Sequence, residues 1–137
     1  MLKIRQDQMH VFESEMISQL AITLEQHIKE HYPEIAATLS DYDLQIRVLA
    51  AIHQARRFGL ANIRTIGDFV GRTFTIGPAF FEQKNIAAAL AQVAVDPHPD
   101  TRFALLDLAI TAEDLEEART LSPSTPLLPP NAREQAR

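Results

Sequence analysis

His27 and His31 stand four residues apart, a spacing that projects both imidazoles from one helix face. Such a pair can grip zinc or nickel if a third ligand joins it. The nearest carboxylates, Glu30 and Glu34, would have to bend in from neighbouring positions, and there is no HExxH. The pair therefore reads as two solvated histidines at a helix C-terminus, where their protonated form suits the helix dipole. His53 lies beside an apolar stripe and reads as a core-edge histidine with a hydrogen-bond partner. His10 and His98 have no neighbours that suggest chemistry. The chain has no cysteine, which removes thiol nucleophiles, disulfides, zinc fingers and iron–sulfur sites. Its acids cluster as Asp41/Asp43 and Glu113/Asp114/Glu116/Glu117. General acid–base work needs carboxylates held apart in a pocket with separated pKa values, whereas runs at helix starts are caps and solvated faces. There is no GxSxG, P-loop or GxGxxG. No catalytic residue, metal or cofactor is expected, and the chain reads as a non-enzyme.

Arg47, Arg56, Arg57, Arg64 and Arg72 crowd two consecutive predicted helices. They are either scattered solubility charge or a patch for an acidic partner, since arginine forks pair bidentately with carboxylates. The stretch HQARRFGLANIRTIGDFVGRT invites a helix–turn–helix reading, and Ala55 and Gly59 fit it. Thr65 and Asp68 stand where that motif needs apolar packing residues. A net charge of −5 also opposes a general nucleic-acid binder. A DNA-binding regulator or antitoxin using the Arg56–Arg72 region is thus the second reading. Phe80 and Phe81 follow the Gly77-Pro78 break. Adjacent loop aromatics divide into one buried and one exposed, the exposed one serving as an interface anchor. The candidate partner-binding residues are Arg56, Arg57, Arg64, Phe80 and Phe81.

Positioning these residues calls for helices. The length, 137 residues with 46% hydrophobic and 23% charged, suits one soluble domain. Met9, Phe12, Met16, Leu20, Leu24 and Ile28 mark the apolar face of a helix from Asp7 to His31, roughly 37 Å long. Pro33 ends it, and PEIAATL makes a turn with one helical turn starting at Pro33. Ser40 caps a second helix striped by Leu44, Val48, Leu49, Ile52 and Ala55, with Gly59 at its left-handed C′ position. Asn62 or Thr65 caps a third, with Ile63, Ile66, Phe69, Val70 and Phe74 apolar. Gly67 and Gly71 sit inside it at small-xxx-small spacing, which points to close approach of another backbone. Asn85 caps an alanine-rich helix to about Val93. After the Asp96-Pro97-His98-Pro99 break, a helix from Thr101 to Ala109 carries Phe103, Leu105, Leu106 and Leu108, and Thr111 caps a last one. Nothing alternates like a strand. The expectation is an all-α single-domain bundle of five to six helices over residues 1–121, then a proline-rich disordered tail over 122–137. The N-terminus has no secretory h-region, and the longest apolar stretch, Ile86 to Val95, is far short of a membrane span. A cytoplasmic protein with no membrane partner is expected.

Ile4-Arg5, Gln8-Met9 and Phe12, then His31-Tyr32-Pro33, then Ala55-Arg56 and Phe58-Gly59-Leu60, then Phe74, Gly77-Pro78 and Phe80 form a succession of blocks over residues 4–81. This succession resembles a family of small helical bacterial proteins encoded beside type VI secretion spike and effector genes. Phe81 stands where that family carries an acid after its GP-x-F block. The motifs are structural punctuation rather than catalytic signatures. The resemblance implies an adaptor, chaperone or immunity role with a secreted effector or spike component as protein partner.

Overall fold

The computed structural model describes residues 6–121, with side chains from Glu15 onward. Seven α-helices occur among them: α1 Gln6–His31, α2 Pro33–Ala37, α3 Asp41–Arg57, α4 Ile63–Thr75, α5 Lys84–Val95, α6 Pro99–Ala104 and α7 Ala112–Arg119. Two 3₁₀ turns, Phe80–Glu82 and Leu106–Ala109, complete an all-α single-domain bundle. The expectations about Met9, Phe12 and the proline-rich tail concern side chains and residues outside those described.

Local hydrogen-bond chemistry sets the helix ends. The Ser40 hydroxyl accepts from the Asp43 N–H at 3.0 Å and Asn62 Oδ1 from the Arg64 N–H at 2.8 Å. Thr111 and Asp114 form a reciprocal capping box. Gly59 has φ +87°, and the bonds Gly59 N–H to Arg56 O and Leu60 N–H to Ala55 O close α3 in a Schellman motif. Leu60 tucks under that turn, fully buried.

α1, α3 and α4 pack together, while α5 gathers α6, α7 and the two 3₁₀ turns. The two groups share one core, centred on Phe69 of α4. Its ring lies 5.1 Å from Phe80, 5.9 Å from Phe58, 6.0 Å from Phe81 and 6.2 Å from Phe103. Leu44, Val48, Ile52, Ile86, Leu90 and Val93 fill the remaining interior.

Several expected apolar positions lie outside. α1 has 26 residues and α3 only 17, so α1 is the longer helix by roughly 13 Å. Ala21, Leu24 and Ile28 are buried where it meets its neighbours, and Met16 is left exposed. His53 is exposed rather than at the core edge. Gln83, not Asn85, caps α5, its Oε1 accepting from the Ile86 N–H at 2.8 Å. The expected Thr101–Ala109 helix starts at Pro99, in the N1 position that proline favours, and breaks at Leu105. Phe103 and Leu106 turn inward, leaving Leu105 53% and Leu108 85% exposed.

Candidate functional site

Arg56 and Arg57 occupy the last turn of α3, and Arg64 the first turn of α4. All three are exposed at the connected end of this helix pair. Arg47 and Arg72 do not join them. Arg47 Nη2 donates to the Thr73 carbonyl at 2.9 Å, and its guanidinium lies 4.2 Å from the Phe74 ring centroid. Burial pulls the Arg47 pKa down. Arg72 makes a bidentate pair with Asp107 at 2.8 and 3.0 Å and reaches Asp68 at 3.3 Å. Desolvation opposes its charge, but the bonds and attraction to Asp107 and Asp68 prevail and raise its pKa.

The two phenylalanines also part. Phe80 is wholly buried, so it cannot anchor a partner as expected; the 3₁₀ turn drives its ring onto Phe69. Phe81 is half-buried at the rim of the same cluster, edge-on to Phe58 at 6.3 Å.

Among the described residues, the α4 glycines do not serve a close approach within the chain. A Cβ on Gly67 would touch Leu24 Cδ2 at an ordinary 3.5 Å, and one on Gly71 would meet nothing within 4 Å. Both line an open groove of about 400 Å³ between α1 and α4. Thr23, Leu24 and His27 of α1 form one wall, and Ile63, Arg64, Asp68 and Arg72 border the other. Ile63, expected in the core, is 61% exposed there. The groove thus unites three features that the sequence presents separately: Arg64, the glycine pair and His27. His27 stacks on His31 with centroids 4.2 Å apart, and His31 Nδ1 lies 3.2 Å from the His27 carbonyl. No group of three or more His, Asp or Glu residues suited to a metal occurs among the described residues.

A second groove, about 560 Å³, runs between α5 and the Leu105–Ala109 segment. Asn85, Ala88, Ala89, Gln92 and Val93 face Leu105, Leu106 and Leu108 across it. The sequence reading puts all four apolar residues of that segment on one helix without dividing them between its faces. At about 100° per residue, Leu105 and Leu108 fall nearly opposite Phe103 and Leu106. That periodicity was the available signal.

Three carboxylates act as structural acceptors, each with its pKa held below the usual range. Asp100 accepts from the Ala61 and Asn62 N–H groups at 3.2 and 3.0 Å and from the Thr65 hydroxyl. Desolvation opposes its charge, and these bonds outweigh it. Asp107 is lowered chiefly by its bonds from Arg72. Asp114 is lowered first by the Thr111 N–H at 3.0 Å and then by Asn85 Nδ2 at 2.7 Å, with Gln83 Nε2 at 3.2 Å adding to it. Glu25 alone among the shifted acids moves up, through desolvation, opposed by Lys29 and reinforced by Asp41. Of the two grooves, the first holds one carboxylate, Asp68, and the second none. Neither groove, as its lining is described, brings two carboxylates together. No known protein family, curated protein or solved structure matches this chain.

Proposed function

We propose that this chain is a non-enzymatic protein-interaction module whose partner docks in the α1–α4 groove. The observation that carries the reading is the floor of that groove. Two glycines in a helix interior cost up to about 1 kcal/mol each relative to alanine. Among the described residues, packing gives Gly71 no reason to lack a side chain, because none of them lies within 4 Å of a Cβ there. A partner helix crossing at this point would gain close backbone approach. Ile63 would supply apolar area, and Arg64 would pair with an acid on the partner. Arg56 and Arg57 extend the basic rim at the same end.

The resemblance to proteins encoded beside type VI secretion genes supports an adaptor, chaperone or immunity role toward an effector or spike component. The DNA-binding reading is weaker, since Arg47 and Arg72 already spend their guanidinium groups inside the fold.

Affinity capture from the native host, with the wild type beside Gly71→Leu and Arg64→Glu, tests the proposal. One protein should be retained in stoichiometric amount by the wild type and lost with both variants, while their circular dichroism stays unchanged. Failure of the folded wild type to retain any protein overturns the reading. So does equal retention by all three.

A further inference from the structure

We infer that His27 and His31 together hold one late first-row divalent ion, nickel or copper before zinc, through their Nε2 atoms. The inference does not depend on the docking proposal above.

The spacing alone leaves the pair as two solvated side chains; the geometry adds three observations. Both imidazoles are exposed near the C-terminus of α1, while Leu24 and Ile28 are buried and fix the backbone that carries them. The rings already lie together, stacked with 4.2 Å between centroids and 22° between planes. Tyr32, packed against the core, stands edge-on to His27 at 6.3 Å and braces it. The third observation concerns the protons. His31 Nδ1 lies 3.2 Å from the His27 carbonyl oxygen. A carbonyl oxygen only accepts, so the neutral ring that makes this bond carries its proton on Nδ1 and its lone pair on Nε2. Donation from the other ring nitrogen to a main-chain carbonyl is the outer-shell contact that orients metal-binding histidines and raises their basicity.

The donor set then selects the ion. Imidazole suits zinc, copper and nickel, whereas magnesium and calcium take oxygen ligands. Among the described residues no acid joins the two histidines to make a group of three, so water fills the remaining positions there. Structural zinc sites take four protein ligands. Copper stands highest in the affinity order for such donors, and both copper and nickel accept tetragonal sites completed by oxygen. His27 also borders the α1–α4 groove, which places the ion at the margin of that groove.

Titration of the tag-free, full-length protein with nickel chloride, followed by isothermal calorimetry, tests the site. One saturable site per chain is expected. His27→Asn and His31→Asn should each weaken it by about tenfold or more, because the second imidazole binds intramolecularly. The pair His31→Asn/Lys29→His keeps the number of histidines but sets them two residues apart, on different helix faces, and should not restore affinity. Magnesium chloride should give no binding heat. Absence of saturable nickel binding overturns the inference, as does equal affinity in the wild type and the single variants, or rescue by the relocated histidine. Imidazole ¹⁵N NMR of the metal-free protein gives a second readout. Neutral His31 should be the Nδ1–H tautomer, and a dominant Nε2–H form also overturns the inference, since it removes the lone pair assigned to the ion.

Discussion

Replacing Gly71 with alanine should stabilise the protein. The position lies inside α4, and the one described glycine with positive φ is Gly59, so an L-residue is accommodated at 71 without backbone strain. The added methyl would meet none of the described residues within 4 Å. The gain is then the helix-propensity difference, about 0.5–1 kcal/mol. The unfolding entropy of a domain of about 120 residues is roughly 0.25 kcal/mol/K near the midpoint, so the melting temperature should rise by about 2–4 °C. Circular dichroism melts read the shift directly, and urea titration should move the midpoint at constant m-value. Two glycines serve as opposite-sign controls. Gly77→Ala would place its Cβ 3.2 Å from the Ala118 carbonyl oxygen, and Gly59→Ala would combine positive φ with a 3.1 Å approach to Pro99 Cγ. Both should lose stability by about 1 kcal/mol or more. A loss of stability in Gly71→Ala would refute the reasoning, because it would mean that the groove floor is already covered.

Phe80→Ala should cost about 3–5 kcal/mol in urea unfolding, since it empties the centre of the aromatic cluster, and half-buried Phe81→Ala should cost less. Asp100→Ala removes acceptors from two backbone N–H groups and the Thr65 hydroxyl, and should lower stability by about 1–2 kcal/mol on the same assay. Asp100, Asp107 and Asp114 have folded pKa values below their unfolded ones. Their contribution is therefore complete above the ordinary carboxylate value of about 4 and is lost as pH falls through the depressed folded values. Melting temperature should accordingly drop on acidification below about pH 4, and less steeply in Asp114→Asn.

What sequence disclosed about the fold was local. Ser40, Gly59 and the Thr111–Asp114 box act on partners no more than a few residues away, so their roles are written in adjacent letters. Asn85 has the composition of a cap, yet its amide is drawn to Asp114, 29 positions on, and Gln83 caps instead. Asp100 straps the α3–α4 turn from nearly forty residues away, and no pattern announces it. The candidate site divides the same way. Arg64 and the glycine pair were visible as chemistry and spacing, but their meeting with His27 in one groove required α1 to pack on α4. Arg47 and Arg72 resemble the exposed arginines in sequence and differ only in which neighbours the fold brings to them.

Phe69 and the glycine floor belong to the same helix, a fact with kinetic weight. One side of α4 is clamped by rings from four other positions along the chain, while another presents the groove. If a partner docks there as proposed, a surface braced by that ring cluster would hold its shape through the encounter. Recognition there would proceed as rigid-body docking with little reorganisation, and tuning of affinity would fall on dissociation.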